Sequence, residues 1–171
     1  MSTTCCIGAI DPDNSTLVRA RIVHYDGYPS NVLPTLAAIW AAHAHQDTAA
    51  LITTILANDW EQLDEDTTAS TSSNFAGQKP VPGVGITLAS ASDGVTVDPP
   101  EPVTVFPLCH AGHLDVEWIY LIDAAADTIV VHTGDGTRVS VYPLVTCLST
   151  DGAGAAERRR GSQPPPASAP R

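Results

Sequence analysis

The sequence predicts an α+β fold in one domain. An antiparallel sheet of about five or six strands packs one face on two consecutive helices, and a disordered C-terminal tail follows. Three observations carry this prediction. Apolar residues alternate with period two over Leu17 to Tyr25, and residues 116–142 read as further strands separated by turns. Between those regions they recur at helical spacing over two stretches. The chain, at 171 residues, is long enough for one domain with a core that needs no disulfide staple.

The elements follow in order. Cys5 to Ile10 is a short apolar run ended by Asp11-Pro12-Asp13-Asn14, strong turn chemistry. Leu17 to Tyr25 then alternates, with Val18, Ala20, Ile22 and His24 on one face and Arg19, Arg21, Val23 and Tyr25 on the other. Together these segments read as an N-terminal hairpin. Asp26-Gly27 breaks the strand. Ser30 or Asn31 is suited to cap the next helix, with Pro34 in its first turn. Val32, Leu33, Leu36, Ile39, Trp40 and Ala44 give that helix its apolar face. The spacing predicts a second helix over Thr48 to Asn58, with Trp60 and Leu63 as its packed exit.

Residues 64–83 change character. The acidic Asp64-Glu65-Asp66 runs into a serine- and threonine-rich stretch that can bury little apolar surface, so a mobile insertion is expected. Val84 to Ala89 suggests a short strand, and Asp98 to Pro102 an interruption. Val116 to Ile122, Thr128 to His132 and Arg138 to Tyr142 read as three strands, with turns at Asp123 to Asp127 and at Gly134-Asp135-Gly136. The hairpin is expected beside these C-terminal strands. Val116, Trp118 and Tyr120 are expected on one face, the last two near the helices. The domain is expected over residues 1–150. Residues 151–171 turn rich in glycine, then arginine, then proline, which predicts a disordered tail.

The net charge is −11, and it is unevenly spread. Arg158, Arg159, Arg160 and Arg171 fall in the last fourteen residues. Residues 1–156 hold only Arg19, Arg21, Lys79 and Arg138 against eighteen acids. A body this acidic repels a phosphate backbone and anionic membranes, so direct nucleic-acid or membrane binding by the body is not expected. The N-terminus lacks a basic and an apolar signal region, and the apolar run Leu36 to Ala44 is too short to span a bilayer. A cytoplasmic setting with the four cysteines as free thiols is the expectation.

His24-Tyr25-Asp26-Gly27-Tyr28-Pro29-Ser30 is the most specified stretch. It joins an imidazole, a carboxylate, two phenols and a glycine at a strand-to-helix junction, where free backbone N–H groups and the helix dipole favour anions. His24 and Asp26 suit proton transfer or ligand hydrogen bonding, and Tyr28 suits ring stacking. Arg19 and Arg21 add guanidinium forks on the face of Tyr25. A candidate anion site therefore comprises Arg19, Arg21, His24, Tyr25, Asp26, Gly27 and Tyr28. The plain structural alternatives are Asp26-Gly27 as a turn, Tyr28-Pro29 as the lead into the helix, His24 as a hydrogen-bonded residue at the edge of the core, and the arginines as cross-strand partners of acids.

The run Val23 to Pro29, with the later Glu117 to Asp123, resembles a group of small uncharacterised proteins of actinobacteria and their phages. These carry Val-His-[Tyr/Trp]-Asp-Gly-Tyr-Pro at the end of their second strand. The resemblance covers roughly residues 4–60 and 114–145. It implies a shared fold unit and a mobile-element setting, and it implies no reaction.

Other chemistry is thinner. Cys109, His110 and His113 have metal-ligand residue types, but no paired C-x-x-C accompanies them, so no metal or other cofactor is assigned. There is no nucleophile elbow, phosphate loop or dinucleotide fingerprint, and no catalytic residue is assigned. Three functions remain: an accessory protein of phage or plasmid origin that binds a small anionic ligand such as a nucleotide; an acidic module that blocks a host protein; and a small hydrolase using His24 and Asp26.

Overall fold

A computed structural model describes residues 2–72, 77–88 and 102–148. They form an α+β domain whose single mixed sheet holds nine strands. The first is β1 (Cys5–Ile10), the second β2 (Leu17–Val23), and they make the expected antiparallel hairpin. Asp11 closes it by accepting the Asp13 and Asn14 N–H groups at 2.8 and 3.1 Å.

Helix α1 (Pro29–Ala42) starts earlier than Ser30 or Asn31 would place it. Tyr28 is its N-cap and makes no side-chain cap bond. The reason lies in Pro29. Proline presets the first helical φ, and it holds the preceding residue extended, as Tyr28 is (φ −71°, ψ 147°). Pro34 consequently sits inside the helix rather than in its first turn. Helix α2 (Thr48–Leu56) is capped by Asp47, whose carboxylate accepts the Ala50 N–H at 3.0 Å. The Trp40 indole donates to Thr48, and Thr48 to Asp127, at 3.0 and 2.6 Å. That chain ties both helices to a distant turn.

Trp60 to Leu63 is not a helix exit but a strand, β3 (Trp60–Leu63). It runs parallel to β2, because α1 and α2 supply the long crossover that parallel neighbours need. The remaining strands are β4 (Pro80–Val81), β5 (Gly85–Thr87), β6 (Thr104–Pro107), β7 (Trp118–Asp123), β8 (Thr128–Thr133) and β9 (Arg138–Pro143). Their spatial order is β4-β5-β3-β2-β1-β7-β8-β9, with β6 also against β2. The hairpin does lie beside the C-terminal strands, but β1 and β7 are parallel, with Cys5 opposite Trp118 and Gly8 opposite Leu121. The expected antiparallel sheet of five or six strands is therefore corrected to a larger, mixed one. A third helix, α3 (Leu144–Leu148), and a 3-10 turn at Leu108–His113 were not expected from the sequence.

Both faces of the sheet are covered. Ile7, Val23, Tyr120, Ile129 and Val131 pack with the helices. Cys6, Val18, Ala20, Phe106, Ile119 and Leu121 pack on the opposite side. Lying between two covered faces makes β1 a continuous apolar run rather than an alternating one, with Cys5, Cys6 and Ile7 fully buried. Tyr120 and Trp118 lie on the helix side as expected; Val116 instead belongs to the opposite cluster. Of the 64–83 region, Thr67 and Gln78 are buried and Pro80–Val81 pairs with β5. Residues 73–76, the interruption at 98–101 and the tail at 151–171 lie outside the described residues.

Candidate functional site

The predicted anion site is drawn out along β2 rather than gathered. Arg19 and Tyr25 are six residues apart on an extended chain, roughly 20 Å at the usual strand rise. Arg19 sits at the hairpin end, near Asp11 at 3.9 Å. Arg21 is buried in between. Its Nε donates to the Leu56 carbonyl at 2.8 Å, and its Nη1 lies 3.6 Å from Asp59. Leu56 ends α2, which has no basic residue in its last turn. Its orphan carbonyls are met from outside, by Arg21 and by the Trp60 indole donating to Ile55 at 2.9 Å. Asp59 also accepts the Ile22 N–H at 3.1 Å, at the point where the β2 edge passes from β6 to β3.

At the other end, the His24 and Tyr25 N–H groups continue the parallel pairing to Trp60 and Glu61 at 3.1 and 3.0 Å. Tyr25, Asp26 and Tyr28 are exposed. Asp26 adopts a positive φ of 60° that turns the chain. Among the described residues His24 and Asp26 share no hydrogen bond or ion pair. Gly27 is buried against β1. Its N–H donates to Thr3 at 3.0 Å, and the fully buried Tyr120 hydroxyl donates to its carbonyl at 2.7 Å. Burial, then the neighbouring Cys5, pushes the Tyr120 phenol well above its ordinary pKa, so it remains a donor.

A cavity of about 970 Å³ opens elsewhere, at the carboxyl ends of the adjacent parallel strands β1 and β7. Crevices in that position are common ligand sites in sheets with parallel strands, and this volume lies near the upper end of the usual range for small-molecule pockets. Ala49, Ile52, Thr53 and Leu56 line it from one face of α2, at helical spacing. Ile10, Leu121 and Val130 extend the apolar wall from the strands. Two arginines and a histidine break that wall: Arg19, Arg138 and His132. Asp123 also reaches it, but its carboxylate accepts the Ala125 N–H at 2.9 Å within its own turn.

His132 is the distinctive group. It is only 5% exposed, and its Nδ1 is buried with no hydrogen-bond partner. Leaving a buried polar atom unpaired costs about 1–3 kcal/mol. Burial holds its pKa below the ordinary histidine value of 6.5; the Val130 backbone offsets part of this, and the Arg138 guanidinium adds a smaller push downward. The sign follows. The unfolded chain binds the proton more readily, so this stability is present above pH 6.5 and is lost as pH falls toward the lower folded value. His132→Gln is expected to flatten that limb of a urea-midpoint profile. An unchanged profile would refute the assignment.

Arg19 was legible in the sequence; His132 and Arg138 were not singled out. One signal was present: Arg138 is among the four basic residues before residue 157. His132 looked like any strand residue until the pairing placed it beside Ile119 and Arg138.

The cysteines offer little chemistry in this fold. Cys5, Cys6 and Cys147 are buried thiols, and burial, with Asp59 nearby, pushes Cys6 up to about 12. Cys109, His110 and His113 are exposed on the 3-10 turn, and among the described residues no group of three or more histidines, cysteines or acids is placed to hold a metal ion. No helix among them is long and apolar enough to cross a membrane. Compared with known proteins, the chain matches no family, no curated protein and no solved structure.

Proposed function

We propose that this protein binds, without chemical turnover, a small apolar molecule bearing one anionic group, and that the ligand lies in the groove across the ends of β1 and β7. The observation that carries this is a buried imidazole with an unpaired nitrogen, His132, in an apolar groove that also holds Arg19 and Arg138. Those arginines are two of the four basic residues available before residue 157 in a strongly acidic chain. An acidic body that concentrates its scarce positive charge at one apolar crevice is suited to an amphipathic anion. The apolar wall favours a carboxylate or monophosphate on a hydrocarbon body over a nucleotide, whose polyphosphate needs many more donors. The reading keeps an anionic ligand and moves its site: of the seven residues drawn from the sequence, only Arg19 lines the groove.

Decanoate and decanol test this by calorimetric titration. Decanoate is expected to bind and decanol to bind at least tenfold more weakly. Arg138 is exposed, so Arg138→Ala is expected to keep the fold. It should weaken decanoate by about tenfold, since a hydrogen bond to a charged group contributes about 1.5–3 kcal/mol. Equal binding of the acid and the alcohol, or indifference to Arg138→Ala, would defeat the proposal.

A further inference from the structure

The free edges of the sheet differ. One end is β4, two residues long and containing Pro80; β6 is four residues and ends in Pro107. Proline and brevity are the usual guards against edge-to-edge pairing. At the other end β9 offers six residues, Arg138-Val-Ser-Val-Tyr-Pro143, and among the described residues no strand pairs with its outer side. The exposed large apolar residues concentrate there. Of the eight among the described residues, Val139, Val141, Tyr142 and Val145 lie on β9 and α3, at 54%, 38%, 40% and 62% exposure.

The ladder shows which main-chain groups are free. The Leu144 N–H donates to Asp127 at 2.9 Å, so Leu144 and Asp127 form a hydrogen-bonded pair. Alternation along an antiparallel ladder then turns Tyr142 and Ser140 toward β8 and leaves the Val141 N–H and C=O pointing outward. Pro143 falls at the next outward position, where the N–H it lacks is not needed by β8.

We infer that β9 pairs with β9 of a second copy of this chain, antiparallel across a two-fold axis, with Val141 opposite its counterpart and Ser140 opposite Tyr142. Charge selects this occupant. No Asp or Glu lies between Asp135 and Asp151, in a chain of net charge −11. An edge segment without carboxylates lets two such acidic molecules meet there with little repulsion, whereas a basic partner protein would be drawn to the acids elsewhere. The contact is isologous, as closed two-fold pairing requires. The edge and α3 form a small interface, which sets a reversible dimer rather than an obligate one.

Sedimentation of the full chain over a range of concentrations is the test. The expected result is a concentration-dependent twofold rise in mass that Val141→Lys abolishes, with the far-UV spectrum unchanged. Val139 is more than half exposed, so Val139→Lys gives the same reading if Val141→Lys fails to fold. A monomer at every concentration would overturn the inference. So would a dimer that both lysine variants leave intact, because the contact would then lie elsewhere.

Discussion

Arg21→Ala is expected to lower the free energy of unfolding by about 3 kcal/mol, the scale for breaking a buried charged pair from one side. The substitution withdraws the Nε donor from the Leu56 carbonyl at the end of α2 and leaves Asp59 without its guanidinium. The Asp59 side chain keeps about one-fifth of its surface exposed, which holds the cost at the low end of the range. Arg21→Lys is expected to recover only part of the loss, because an ammonium lacks the planar fork that reaches two partners. Urea unfolding with an unchanged slope is the measurement. A variant of native stability that has lost ligand affinity would place Arg21 in a binding site, as the sequence alone suggests, and not under α2.

Gly27→Ala is expected to cost about 2–3 kcal/mol, the upper part of the range for overpacking. A Cβ at this position would lie 2.6 Å from the Thr3 carbonyl oxygen and 3.0 Å from the Cys5 Cβ. Neither atom can yield easily, since Thr3 accepts the Gly27 N–H and Cys5 is held between β2 and β7. Moving the Gly27 segment outward would break its bond from the Tyr120 hydroxyl, which anchors the motif to the sheet across 93 residues of chain. The thermal midpoint of Gly27→Ala beside wild type decides it. A shift of less than about 2 °C would show that the segment relaxes freely, since 1 kcal/mol corresponds to about 2–4 °C or more in a domain of this size.

These two sites show how far the sequence reaches. The His24 to Ser30 stretch was conspicuous as a sequence, and its Gly27 is indeed tightly constrained. The constraint is steric, imposed by a strand that precedes it by some twenty residues, and nothing in local composition distinguishes that from ligand binding. Arg21 was correctly placed on a face with Arg19, yet the two serve different surroundings. One is buried against the Leu56 carbonyl and Asp59, and the other lines the groove that α2 borders. Local alternation assigns a residue to a face and is silent on what lies above it.

The alternation of β2, the helical spacing and the apolar runs bounded by turn chemistry at Asp11 and at Gly134 to Gly136 determined the hairpin, α1, α2 and the strands β7 to β9. Those are interactions between neighbours in the chain, and short-range stereochemistry suffices for them. Only the tertiary structure decided that β1 runs parallel to β7, that Trp60 opens a strand, and that His132, Arg138 and Arg19 share one crevice. Each of those depends on contacts between segments tens of residues apart. Their free energy comes from burial and from satisfying orphan polar groups, and neither quantity exists until the segments have met.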